Sequence, residues 1–129
     1  MSATQSQWYA TCSQGGKTLY PYGDSYGKEM CEGLDAANEG GGKQDVGSHP
    51  ECHGTSAPYA SVVDLSGSVM ELTDECTLDT TSPTPNVVCA ARGGGYSSQG
   101  TGLDCKHYAG LARDAFAEYV GFRCCKDLP

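Results

Sequence analysis

Eight cysteines are the residues of this 129-residue chain with the most evident chemistry. They are Cys12, Cys31, Cys52, Cys76, Cys89, Cys105, Cys124 and Cys125. Their number is even and no two are spaced C-x-x-C, so zinc ribbons and thioredoxin-like motifs are not supported. Such a density predicts disulfides made in an oxidising compartment, with free buried thiols as the alternative.

Two cysteine-containing segments allow more specific predictions. His49, Cys52 and His53 lie within five residues and have the side-chain types of a zinc site. A disulfide at Cys52 beside two exposed histidines is the favoured interpretation. Cys76 and Cys89 flank a polar segment, and we predict that they form a bridge that closes it.

Other catalytic patterns are weak. The three histidines have no spacing that indicates nucleophilic catalysis, and neither glycine triplet precedes the Lys-Ser/Thr of a phosphate-binding loop. Asp74, Glu75 and Asp79 form an acidic run, which is typical of a solvated loop.

Composition limits the partners. The formal net charge of −8 disfavours nucleic acid, and no apolar run is long enough to span a membrane. The first residues do not resemble a signal peptide, and we expect the chain to begin inside a longer protein. The cysteines nevertheless predict a secreted, periplasmic or cell-surface location.

The elements that must position these residues are predicted to be short. Helical segments are expected at 4–12 with Thr4 as N-cap and a stop at Gly15-Gly16, around Cys31 within 28–37, and at 109–118. Strands are expected near the start of 61–76, at the start of 86–98 and over 119–125. Loops are expected at 38–58 and 77–86.

Five segments, in this order, resemble the formylglycine-generating-enzyme (sulfatase-modifying factor) family. QSQWYATCSQGGKTLYPYGDSY resembles its E-A-E-W-E-x-A stretch and Y-P-W-G turn, and DVGSHPECHG resembles the following loop. VVDLSGSVMELTD resembles D-M-x-G-N-V-W-E-W-T, AARGGGY resembles R-G-G-S-Y, and VGFRCC resembles the closing G-F-R strand. The resemblance runs from Gln5 to Cys125.

The resemblance implies an α+β, C-type-lectin-like fold with little regular secondary structure, here stapled by disulfides. It also implies that residues 1–129 are a single domain that lacks the N-terminal portion of the family fold. The family's oxidase holds copper(I) on two cysteines that follow the R-G-G arginine by six and eleven residues. Those positions are Ser98 and Leu103, so copper is not expected.

Three further roles follow from the resemblance. Cys105 is interpreted as a disulfide partner of Cys124 or Cys125. Arg92 and Arg123 are expected to be structural, with Asp64 or Asp114 as partners. A calcium site is implied on the carbonyl oxygens of Gly67 and Val69 and the side chain of Glu71, with Ser66 as an additional candidate ligand.

The calcium site has an alternative, in which Glu71 only accepts hydrogen bonds from nearby backbone amides. Here Ser68, Met70 and Leu72 replace the family's asparagine and two tryptophans, which alters this turn.

The resulting prediction is a non-catalytic binding module that presents loops 38–58, 77–86 and 97–108 to a protein or glycan ligand. The abundance of tyrosine favours contact surfaces of that kind. A copper-dependent oxidase and a self-assembling subunit of an extracellular structure are the alternatives.

Overall fold

The secondary structure is sparse and centres on one mixed sheet. The computed structural model describes residues 6–36 and 42–124. Its regular elements are helix α1 (Gln7–Cys12), 3₁₀ helices at Tyr59–Ser61 and Gly100–Leu103, and strands β1 (Met70–Asp79), β2 (Asn86–Arg92), β3 (Tyr108–Ala112) and β4 (Val120–Phe122). The fold is therefore α+β, with long irregular segments. No helix among the described residues is long and apolar enough to cross a membrane.

The four strands lie in the order β3-β2-β1-β4. Strands β1 and β2 form an antiparallel pair in which Glu71 faces Arg92 and Cys76 faces Cys89, with a bulge between Leu72 and Cys76. Strand β3 pairs antiparallel with β2, whereas β4 runs parallel to β1. The predicted loop at 77–86 is shorter than expected, because β1 continues to Asp79 and β2 begins at Asn86.

The predicted helix at 109–118 is wrong. Its first residues belong to β3, where Leu111 lies opposite Cys89 and Gly110 opposite Ala90. Tertiary pairing with β2 overrides the helix propensity of this alanine-rich segment. The helical turn predicted around Cys31 is also absent, and two separate turns at 27–30 and 33–36 take its place.

Helix α1 lies within the predicted segment 4–12, and its N-cap is Ser6. The Ser6 side chain accepts a hydrogen bond from the Tyr9 amide, as N-cap residues do. Thr4, the expected N-cap, lies outside the described residues. The helix ends at Cys12, earlier than the predicted stop, and buries Tyr9 and Cys12.

A disulfide bond joins two distant parts of the chain within the buried core. Tyr9, Cys12, Leu65 and Cys105 form one buried cluster, against which Trp8 and Val62 pack. Within it Cys12 is bonded to Cys105, 93 residues away in sequence. The expected pairing of Cys105 with Cys124 or Cys125 is therefore wrong, because α1 brings Cys12 against the Cys105 segment.

Two further disulfides occur in the described residues. Cys76 is bonded to Cys89, as predicted, and Cys31 is bonded to Cys52, so the expected disulfide at Cys52 is confirmed. Cys124 is exposed and belongs to no disulfide among the described residues, while Cys125 lies outside them. Three intramolecular bridges are consistent with an oxidising compartment.

Candidate functional site

The turn before β1 lies against the Glu32 backbone. Gly67 has a φ of 79°, and a side chain there would collide with the Glu32 carbonyl group. The Gly67 amide donates to Gly93, and the Ser66 hydroxyl donates to the carbonyl of Leu103. The close contact with Glu32 excludes any residue with a Cβ at position 67. Glycine therefore allows the turn to pack against Glu32 while it bonds Gly93 and Leu103.

The carboxylate of Glu71, at the start of β1, is already engaged. Trp8 Nε1 donates to its Oε2 at 2.7 Å, and the Arg123 guanidinium donates to both of its oxygens at 2.5 to 3.1 Å. Arg123 also donates to the carbonyl oxygen of Val63 at 3.0 Å. The predicted partner Asp64 accepts from Arg123 only through its backbone oxygen.

These contacts compete with the predicted calcium for the side chains of Ser66 and Glu71. A guanidinium that holds both oxygens of Glu71 places a positive charge where the cation would have to bind. The Ser66 hydroxyl is likewise engaged, because it donates a hydrogen bond to the carbonyl oxygen of Leu103. Calcium at this turn stays a prediction, and Glu71 instead ties α1, β1 and the chain after β4 together.

Arg92, at the end of β2, has no exposed surface. Its Nε and one terminal nitrogen donate to the two carboxylate oxygens of Glu75, each at 2.8 Å. The guanidinium carbon also lies 6.0 Å from the Trp8 ring centroid and 5.3 Å from that of Tyr108. The structural role expected for Arg92 fits this geometry, although its partner is Glu75 rather than Asp64 or Asp114.

Glu75 thus belongs to this buried ion pair and not to a solvated acidic loop. Burial by itself raises the pKa of Glu75, but hydrogen bonds from Arg92 and Ser6 outweigh it and hold the pKa below its ordinary value of 4.5. This pairing was not predicted, although the acidic run and Arg92 are both evident in the sequence. Glu75 lies in the bulge between Leu72 and Cys76, and this irregularity left no local signal.

Acid is expected to weaken this contact. Because the folded-state pKa is the lower one, the pair contributes stability above the ordinary pKa and loses it as the pH falls through the folded-state value. In urea unfolding between about pH 6 and about pH 3, wild-type stability should therefore fall more steeply than that of Glu75→Gln. The exposed-site control Glu51→Gln should follow the wild type. Parallel curves for wild type and Glu75→Gln would contradict this expectation.

Ser98 and Leu103, at the positions where the resemblance places copper ligands, lie close to each other. A Cβ built on Gly94 would be 3.1 Å from Ser98 Cβ and 3.0 Å from a Leu103 methyl group. Ser98 Oγ accepts from the Gly95 amide at 3.1 Å, and Leu103 is buried. The fold therefore brings the two positions together, but a hydroxyl and an aliphatic side chain supply no thiolate to a soft metal ion.

The histidines near Cys52 do not converge on its sulfur. His49 Nε2 lies 2.6 Å from Glu32 Oε2, and His53 Nδ1 lies 2.6 Å from the Gly54 carbonyl oxygen. Cys52 itself is bonded to Cys31. No group of three or more histidine, cysteine or carboxylate side chains that could hold a metal ion occurs within residues 6–36 and 42–124.

The tyrosines divide between interior and surface. Tyr20 is buried, stacks on Tyr22 with ring centroids 5.5 Å apart, and contacts Tyr26 at 5.8 Å. Tyr108 and Tyr119 are exposed. Several tyrosines therefore stabilise the fold, and only a part of them is available as contact surface.

Comparison with models of protein families identifies the family of this chain. The sulfatase-modifying factor enzyme 1-like domain (FGE-sulfatase) matches residues 3–128. A search of curated proteins finds no match. The match covers nearly the whole chain, including the disulfide-linked core, the Arg92 and Arg123 ion pairs and the positions of Ser98 and Leu103. The chain therefore belongs to the sulfatase-modifying factor enzyme 1-like domain family.

Proposed function

We propose that this protein is a non-catalytic binding module of the family, located outside the cytoplasm, on a C-type-lectin-like scaffold. The observation that carries the proposal is the pair Ser98 and Leu103, which occupy neighbouring positions where copper(I) would need two thiolates. The nearest downstream thiol, Cys105, is bonded to Cys12 and has no exposed surface. Neither Ser98 nor Leu103 nor the nearby Cys105 offers a free thiolate, which the family's copper-dependent oxidation requires.

A scaffold without this chemistry can still present ligand-binding segments. The Cys12–Cys105 and Cys31–Cys52 disulfides tie irregular segments to the rest of the fold. Large apolar side chains are exposed on such segments, among them Val46 at 86% and Phe116 at 98% of full exposure. Exposed aromatic and aliphatic groups on rigid loops favour a protein or glycan ligand.

Copper provides the direct test. The oxidised wild-type protein is expected to bind no stoichiometric copper(I) and to leave a cysteine-containing sulfatase peptide unoxidised. The double variant Ser98→Cys/Leu103→Cys should bind one equivalent, because the two positions adjoin each other and thiolates suit copper(I). Binding is followed by competition with a chromogenic copper(I) chelator.

The single variant Ser98→Cys is the matched control, since it adds a thiol without completing a pair. It should resemble the wild type. Stoichiometric copper binding by the wild type together with turnover of the peptide would overturn the proposal in favour of the oxidase. Near-wild-type circular dichroism must accompany each variant, because Leu103 is buried.

Self-assembly is a second candidate, favoured by one edge of the sheet. Strand β4 is an edge strand of three residues, and Phe122 within it is 79% exposed. An exposed apolar side chain on an edge strand favours association with a further chain. Sedimentation velocity over a concentration series separates a monomeric module from an assembling subunit.

A further inference from the structure

A cavity of about 450 Å³ lies beside the turn that precedes β1. Segment 43–49, residues 63–71 and the end of β4 enclose it together with Glu32. Its walls include the aliphatic side chains of Val46, Val63 and Val69 and the ring of Phe122. This volume accommodates a small ligand or one side chain of a partner.

Glu32 gives the cavity a polar anchor. Its side chain is only 5% exposed, and its Oε2 lies 2.6 Å from His49 Nε2. The other oxygen, Oε1, is buried and has no hydrogen-bond partner among the described residues. A buried carboxylate oxygen without a partner is costly, so a donor that reaches Oε1 would gain affinity.

The remaining charged groups favour a cation as that donor. The cavity is lined by four carboxylates, those of Glu32, Asp45, Asp64 and Glu71, and by the basic side chains of Lys43, His49 and Arg123. Of the basic groups, Arg123 is held by Glu71 and Lys43 donates to the carbonyl oxygen of Glu118 at 3.2 Å. With the Glu71–Arg123 pair set aside, the carboxylates of Glu32, Asp45 and Asp64 outnumber the basic side chains of Lys43 and His49, so the cavity keeps an acidic excess.

A metal site built from side chains does not match this geometry. The carboxylates that line the cavity belong to no cluster of three or more potential metal ligands in the part of the chain that the structure describes. The aliphatic walls instead suit methylene groups, and a long-chain amine combines such a stem with a positive head. Shape and charge together select an organic cation.

We propose that the cavity binds an alkylammonium group, such as a lysine side chain of a partner or a free primary amine. The stem packs on Val63 and Val69, and the ammonium donates to Glu32 Oε1. Because Oε1 is buried, the Glu32 carboxyl group has to turn for this contact to form, and the last torsion of a glutamate side chain has a broad energy profile. This inference rests on the proposed binding function and names the chemistry of its ligand.

Calorimetric titration of the full, oxidised chain at neutral pH tests the inference. Three probes are compared: n-butylammonium, the peptide-like N-acetyl-lysine methylamide, and n-butanol as the uncharged analogue. Both amines are charged at this pH because a lysine-type ammonium has a pKa of about 10.4. The amines should bind at one site at least about tenfold more tightly than butanol, as expected for a charge-assisted hydrogen bond. Tighter binding of the lysine derivative indicates a protein ligand, and tighter binding of butylammonium indicates a small amine.

Two variants locate the site. Glu32→Gln should weaken amine binding at least about tenfold, because it removes the charge and retains the side-chain volume. Glu51→Gln, which makes the same charge change at an exposed residue outside the cavity lining, should bind like the wild type. Equal affinity of wild type and Glu32→Gln overturns the inference. Equal binding of amine and butanol by the wild type also overturns it, even if Glu32→Gln fails to fold.

Failure of this inference is distinguishable from failure of the proposed function. Missing amine binding removes the alkylammonium site and leaves the copper experiment unaffected. Turnover of the cysteine peptide overturns the non-catalytic role, whereas a positive amine titration would stand.

Discussion

Replacing Cys12 and Cys105 together with alanine is expected to lower the free energy of unfolding by about 4.6 kcal/mol, the chain-entropy value for a loop of this length. The two cysteines are separated by 93 residues, so their bond restricts the unfolded chain more than either other bridge does. Both sulfurs also belong to the buried core cluster, and their removal leaves a void that adds to the loss. Urea unfolding under conditions that prevent thiol–disulfide exchange measures the difference.

The matched control is the bridge within the β1–β2 pair. Cys76→Ala/Cys89→Ala opens a loop with a sequence separation of only 13, for which the same relation gives about 2.9 kcal/mol. This pair is partly held by the strand hydrogen bonds of β1 and β2, and the fold should survive its loss. Equal losses for the two double variants, or a larger loss for the short bridge, would contradict the entropic explanation.

Arg92→Met is expected to cost about 3 kcal/mol of folding free energy, the low end of the range for buried ion pairs that lose one partner, because Glu75 is only partly buried. The substitution leaves the Glu75 carboxylate buried without its guanidinium and removes the cation that lies between Trp8 and Tyr108. Arg92→Lys should recover little, because an ammonium lacks the planar fork that bonds both oxygens of Glu75 while it stacks on two rings. Thermal and urea unfolding report the loss.

Two variants separate charge from packing at this position. Arg113→Met removes an exposed arginine and should change stability by less than about 0.5 kcal/mol. The double variant Arg92→Met/Glu75→Met should be more stable than Arg92→Met alone, since no unpaired carboxylate stays buried. If Arg92→Met is as stable as the wild type, the ion pair is not a major contributor to the fold.

The two ion pairs hold in place the same region that the family resemblance marks as its central motif. Glu71 connects Trp8 of α1 with Arg123 after β4, and Glu75 connects Arg92 with Ser6. Trp8 thus bonds one carboxylate and lies under the guanidinium that holds the other. Helix α1, the sheet and the closing strand are therefore positioned by charge as well as by the Cys12–Cys105 bond.

The sequence by itself determined the family and much of the chemistry. Ordered motifs such as AARGGGY and VGFRCC predicted membership, which the family comparison confirms. Strand β2, closing strand β4 and the Cys76–Cys89 bridge were also predicted correctly, because each depends on local pattern or short separation. The replacement of two thiols by Ser98 and Leu103 could be counted directly from Arg92.

Only the tertiary structure decided which distant residues meet. Cys12 and Cys105 pair across 93 residues, and no local spacing favours that pair among the possible connectivities. Glu75 lies in the bulge of β1 and meets Arg92 through its side chain, and residues with helix propensity form β3 because β2 supplies the hydrogen bonds. The cavity at Glu32 likewise joins three separated segments. The type of each side chain can be read directly from the sequence. Which distant side chains come into contact depends on chain closure, burial and strand register, which act over the whole domain.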